Sequence, residues 1–225
     1  NGNELFTRQF GTPSDDTVFG VASTSNSAIL VVGSTLGNFS GFTNAGQEDA
    51  FLMKFDSSGT LLFVDQFGTA GNDRYQGVIV CDDGSSSAYV VVGYTDGALP
   101  GLSSAGGYDV FVRKFDSGGS HQWSRQVGSS NDDYVFTNGV ARDSSNAIFV
   151  GGKTAGALSG FTNAGGSDAF VMKLDSSGTV VWTLQFGTTG DDEVQAVTSD
   201  SNAFIVDHEF VSPTLTGMVA IPMLE

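Results

Sequence analysis

Four aspartates in this chain stand where apolar segments begin, and together they are its best candidates for chemistry. Asp16 closes the turn Gly-Thr-Pro-Ser-Asp-Asp, and Asp73 closes Gly-Thr-Ala-Gly-Asn-Asp. Asp133 closes Gly-Ser-Ser-Asn-Asp-Asp, and Asp192 closes Gly-Thr-Thr-Gly-Asp-Asp. If the segments they open run side by side around an axis, the carboxylates form a ring at its mouth. Like charges at such a distance repel unless they are protonated, hydrogen-bonded or bridged by a cation. Ca²⁺ takes about six to eight oxygen ligands and accepts carboxylates with backbone carbonyls, so it is the candidate ion. The competing expectation, which the turn chemistry favours, is that each aspartate caps its own turn by accepting backbone N–H groups. No Asp-x-Asp-x-Asp-Gly calcium loop is present.

Nucleophilic catalysis finds less support. His121 and His208 belong to different repeats, and no serine sits in a nucleophile-elbow context. His208 lies in Asp207-His208-Glu209, which offers half of a metal or acid–base site; a solvated strand end is the simpler expectation. No pair of carboxylates stands out for glycoside hydrolysis. The single cysteine, Cys81, excludes an internal disulfide and a cysteine zinc site; its apolar neighbours favour a core residue over a reactive thiol, which would need a nearby cation, and only Arg74 is close in sequence. Asn38-Phe-Ser40 is a glycosylation sequon on a loop, relevant in a eukaryotic secretory route.

The elements that must position these residues come in copies. Asp168 to Leu174, the turn Asp175-Ser-Ser-Gly178 and Thr179 to Phe186 spell a β-hairpin. The same hairpin starts at Asp49 and Asp109, a period of about 60 residues. Asp56, Asp116 and Asp175 are its turn residues. Between hairpins lie two more strands, 18–23 and 28–34 in the first copy, then a long Gly-rich loop with paired apolar residues (Phe39/Phe42, Leu99/Leu102, Leu158/Phe161) expected to tuck beneath it. Lys54, Lys114 and Lys173 are expected to pair with carboxylates or carbonyls between repeats, and Gln9, Gln66, Gln126 and Gln185 to satisfy backbone groups. Two extra residues before Gly139-Val140 predict a β-bulge in the third copy.

Four strands per repeat are the unit of a propeller blade. The expected fold is therefore all-β: a four-bladed β-propeller with four antiparallel strands per blade. Residues 1–225 form one domain, with repeats at about 12–68, 69–128, 129–187, and 188–225 plus 1–11. Residues 4–10 are expected to join residues 218–224 as the missing outer strand, closing the ring and removing exposed edges. Pro222 aligns with the repeated lysine, which predicts a lost ladder hydrogen bond there. A β-sandwich is the bland alternative.

The hairpin wording at 49–59, 109–119 and 168–178, and the stretch Gly-Val-Ala-Arg-Asp-Ser-Ser-Asn-Ala-Ile-Phe-Val-Gly-Gly at 139–152, resemble the secreted β-propeller repeat family labelled SBBP. The resemblance covers nearly the whole chain. It implies a propeller of exported or cell-surface proteins, with no assigned reaction.

Composition bounds the partners. Nine Lys+Arg against 25 Asp+Glu leave a net charge of −16, which repels nucleic acid and anionic lipid and favours cations or basic protein surfaces. No apolar run approaches the ~18 residues of a spanning helix. Asn1 is not an initiator methionine, so a processed or trimmed chain is expected. The reading that follows is a non-catalytic, extracytoplasmic binding or structural module. It engages a protein partner, within a larger assembly, through the acidic loop face. Phe42, Leu102, Phe161, Tyr108 and His208 are the candidate contact residues. The alternatives are a glycan-binding lectin using those aromatics and an enzyme with an acidic channel site.

Overall fold

The computed structural model describes residues 4, 6–82, 87–199, 203–210 and 216–222; for Asp82 and the last two stretches only the backbone is described. It is all-β and, apart from one bridge between β9 and β13, antiparallel, with no helix among the described residues. The first sheet is the meander β1 (Asp16–Ser23), β2 (Ile29–Thr35), β3 (Asp49–Phe55) and β4 (Leu61–Phe67). The second repeats it with β5 (Asp73–Asp82), β6 (Ser87–Thr95), β7 (Asp109–Phe115) and β8 (His121–Val127). A third meander follows: β9 (Asp133–Arg142), β10 (Ile148–Thr154), β11 (Asp168–Leu174) and β12 (Val180–Phe186). It shares one sheet with β13 (Asp192–Ser199), β14 (Ala203–Phe210) and β15 (Thr216–Pro222).

The local reasons are legible at each hairpin. Asp56 Oδ1 accepts the N–H groups of Ser58 at 2.8 Å and Thr60 at 2.9 Å, while Gly59 takes φ +80°, which L side chains rarely adopt. Asp116 and Asp175 do the same work in their turns. β-Branched and aromatic residues fill the strands between, so both faces of β3, β7 and β11 are buried.

Burial on both faces comes from stacking sheet on sheet. Leu30, Val32, Ala50 and Leu52 of the first sheet form one core cluster with Tyr75, Tyr89, Val91, Phe111 and Phe115 of the second. Val90, Val92, Val110 and Val112 do so with Val135, Ile148, Val150 and Phe170 of the third meander. Phe149, Ala169 and Val171 then meet Val194 and Val197 of β13. In the first two sheets the lysine of the third strand stitches the sheet to the hairpin turn of the next. Lys54 Nζ donates to Tyr89 Oη at 2.7 Å and to the Ser117 carbonyl at 3.0 Å, and Lys114 Nζ donates to the Ser176 carbonyl at 3.0 Å. Lys173 departs from the expected pairing between repeats: it lies 3.9 Å from Asp143 of its own repeat.

Three further expectations change. Residues 6–10 form no strand, and β15 pairs only with β14 among the described residues, so the expected ladder between the two chain ends is not formed. Residues 6–10 lie instead on the free face of the first sheet, where the Phe10 ring sits 4.6 Å from that of Phe55. Phe6 crowds Gly59 as Phe63 crowds Gly119 and Trp123 crowds Gly178. The segment thus takes an outer strand's side-chain place without its hydrogen bonds. Second, Ala220 rather than Pro222 faces Ile205, the position where Lys173 faces Phe149. Pro222 pairs with Ala203 at the strand end, where a missing N–H interrupts no ladder. Third, the irregularity in β9 does more than bulge: it carries Asn138 to a parallel bridge with Ala196, joining the third meander to β13.

Candidate functional site

The turns after β4, β8 and β12 and the long loops before β3, β7 and β11 meet on one face. Backbone bonds zip each loop to the next turn: Asp73 N to Glu48 O at 2.7 Å, Asp133 N to Tyr108 O at 2.6 Å, and Asp192 N to Ser167 O at 2.7 Å. The turn aspartates build this face from within. Asp16, Asp73, Asp133 and Asp192 each accept the N–H four residues earlier, from Thr12, Thr69, Ser129 and Thr188, all at 2.6 Å. Turn capping is thus the geometry at all four positions.

A second set of acids clamps the loops. Asp49, Asp109 and Asp168 accept the N–H groups of Ala45, Ala105 and Ala164. Each also accepts a glutamine amide, from Gln66 at 2.8 Å, Gln126 at 2.7 Å and Gln185 at 2.9 Å. Those glutamines offer their Oε1 to the N–H groups of Phe39, Leu99 and Leu158 and donate to the Gly37, Gly97 and Gly156 carbonyls. Gln9 is exposed and stands outside this scheme.

The two sets meet in pairs. A Cβ on Gly128 would lie 1.9 Å from Asp109 Oδ1 and 2.9 Å from Asp133 Oδ2, so only glycine fits between these carboxylates. Gly68 lies likewise between Asp49 and Asp73, and Gly187 between Asp168 and Asp192. Burial pushes the Asp73 and Asp133 carboxyls above the usual range, against the pull of turn hydrogen bonds, and the paired aspartate adds to the rise. Among the described residues no three aspartate, glutamate, histidine or cysteine side chains form a group that could hold a metal ion.

Further out on the same face, each junction between repeats is filled differently. The second residue of β5, β9 and β13 (Arg74, Tyr134 or Glu193) meets residues from the end of the neighbouring second strand or of the loop beyond it. Between the first and second sheets, Arg74 Nη2 donates to Glu48 Oε1 at 2.7 Å. Between β10 and β13, Lys153 Nζ lies 3.1 Å from Glu193 Oε2. The middle junction holds three tyrosines. The Tyr94 ring is 5.4 Å from that of Tyr108 and 4.9 Å from that of Tyr134, both nearly perpendicular, and Tyr108 and Tyr134 are 5.4 Å apart. Their hydroxyls are engaged. Tyr94 Oη accepts from Arg74 and Gln76, Tyr108 Oη accepts from Asn72, and Tyr134 Oη donates to Asp132. Burial and the neighbouring Asp132 push the Tyr134 phenol up to about 12.

Phe42, Leu102 and Phe161 are half-buried, and each packs on a core cluster beneath its loop beside Phe39, Leu99 or Leu158. Tyr108 joins the tyrosine cluster. Asn38 is exposed, and its Oδ1 accepts Asn44 N at 2.7 Å. The side chain of His208 lies outside the described residues; its backbone pairs with Val194 and Gly217. His121 Nε2 lies 2.8 Å from Ser124 Oγ, but both are on the outer strand β8, and burial with the nearby Arg113 lowers the affinity of His121 for a proton. Tyr94, Tyr134 and Glu48 belong to no motif in the sequence, and Arg74 stands out there only as the cation near Cys81. Their signal was a break in the repeat: Tyr94 stands where Ser34 and Lys153 stand, and Tyr134 where Thr17, Arg74 and Glu193 stand.

Comparison with known proteins agrees with this architecture. The β-propeller repeat model of the SBBP family matches residues 122–158, from β8 through β10 into the following loop. The regulatory protein FlaEY of Caulobacter vibrioides is 29% identical over 173 residues, covering 72% of this chain and 18% of that protein. The chain therefore spans less than a fifth of that relative's length. In its repeats, its sheets and this match, the chain resembles the β-propeller repeat family.

Proposed function

We propose that the chain is a non-catalytic, exported binding module that engages a protein partner, within a larger assembly, through its acidic loop face. Its blades are the three meanders and β13–β15, arranged as one propeller domain. The observation that carries this reading is the zipped loop face. Its inner acids are spent on capping turns and clamping loops, which leaves a rigid platform on which only the outer side chains vary from repeat to repeat. Preorganised surfaces of this kind lose little entropy on binding. Resemblance to a regulatory protein is in keeping with a role in interaction, although a fold by itself does not choose a function. Charge reversal separates the faces. Asp15→Lys and Asp132→Lys should abolish retention of the natural partner, and Ser57→Lys on the opposite face should not. Equal retention by all three variants would refute the assignment.

A cation is the second reading, favoured by the buried Asp109 Oδ1, which lacks a hydrogen-bond partner among the described residues. If Ca²⁺ binds only the folded chain, added Ca²⁺ must raise the melting temperature by mass action. An unchanged melting temperature at millimolar Ca²⁺ removes it.

A further inference from the structure

The three junctions on the loop face differ in one respect. Two are neutralised internally, by Glu48 with Arg74 and by Lys153 with Glu193. The middle one carries half-buried Tyr94, Tyr108 and Tyr134 flanked by exposed Asp96 and Asp132. Among the described residues neither aspartate has an ion-pair partner. Among the described residues Asp96 accepts from Asn72 alone, through its backbone N–H at 2.6 Å and its amide at 2.9 Å. Asp132 accepts from Tyr108 N at 3.0 Å and from Tyr134 Oη at 3.4 Å. The adjacent cation, Arg74, is held by Glu48, and its guanidinium is 6.0 Å from the Tyr94 ring centre. The site thus has rigid aromatic rings and uncompensated negative charge, with every tyrosine hydroxyl already bonded.

We propose that this tyrosine junction docks a cationic segment of the partner protein, an arginine- or lysine-bearing loop or strand whose side chain lies on the tyrosine rings between Asp96 and Asp132. This deepens the loop-face reading above and rests on it. A guanidinium over an aromatic face is held by the negative potential of the ring, the more so as water is excluded. Tyrosine fixed by its own hydrogen bonds pays little ordering entropy, which is why such residues dominate interface hot spots. The net charge of −16 adds steering toward a basic partner. A sugar would also stack on tyrosine, but it would leave Asp96 and Asp132 uncompensated.

The test titrates the full chain with a fluorescent Arg-Gly repeat peptide at about 150 mM salt, where diffuse surface attraction is largely screened. Its citrulline-Gly counterpart, equal in shape and uncharged, is the control. The arginine peptide should bind and the citrulline peptide should bind at least tenfold more weakly. Tyr108→Leu, which keeps apolar bulk but removes the aromatic face, should weaken binding roughly tenfold. Tyr108→Phe should stay within about twofold of the parent, which also guards against misfolding as the cause. Lys153→Ala at another junction should not weaken it. Peptide binding that survives Tyr108→Leu overturns the tyrosine site while leaving the loop face in place. Binding of neutral oligosaccharide but not of the arginine peptide overturns the cationic class. A natural partner retained by Tyr108→Leu but lost in Asp15→Lys sinks this inference alone; one retained by every loop-face variant sinks the functional reading as well.

Discussion

The first sheet is sealed on one side and open on the other. Tyr75 and Val78 of the second sheet are 0% and 8% exposed, because the first sheet covers them. Their counterparts on the first sheet, Val18 and Val21, are 55% and 67% exposed. Val18, Ile29, Val31 and Phe55 line a hollow of about 400 Å³ that Phe6 and Phe10 only partly cover. The residue types are alike on the two sides; what differs is whether another sheet lies against them. In a stacked repeat each unit contacts only its neighbours, so burial is a property of position in the stack rather than of the unit's own sequence.

That contrast is easiest to break at the sealed junction. Leu52 is fully buried between the first and second sheets, so Leu52→Ala should cost about 2–5 kcal/mol in denaturant unfolding. A loss below about 1 kcal/mol would mean that the junction packs loosely. Gly128→Ala forces a methyl against the Asp109 carboxylate and should cost about 1–3 kcal/mol; a silent substitution would show that the carboxylate moves aside freely.

The buried carboxylates sharpen the contrast through pH. Asp73 and Asp133 titrate higher in the folded chain than in the unfolded one. Between those two values the native state holds more protons, so this contribution to stability falls as pH rises through the window. The melting temperature of Asp73→Asn relative to the parent should therefore be higher at pH 7 than at pH 4. A constant offset would show that the carboxyl gains nothing from its proton. At the open side, Phe10→Ala should cost less than about 1 kcal/mol, since the residue is 43% exposed. Val21→Ser should change stability by no more than about 0.5 kcal/mol, and a large loss there would mean that the face is covered in solution.

Much of this protein is written locally and in triplicate. The hairpin turns, the Asp16-type caps, the paired residues under each loop and the strand order within each meander follow from neighbours close in sequence. Asp56 needs only Ser58 and Thr60 to fold its turn, and any error in reading one copy is corrected by the next two. The place of residues 6–10, the register of the last hairpin, the carboxylate pairs around Gly68 and Gly128, and the tyrosine junction were decided by the tertiary structure. Each depends on which residues of adjacent repeats meet across a junction. Strand alternation tells which side a residue faces but not what it faces, so Tyr94 and Tyr134 became a cluster only when two sheets were laid together.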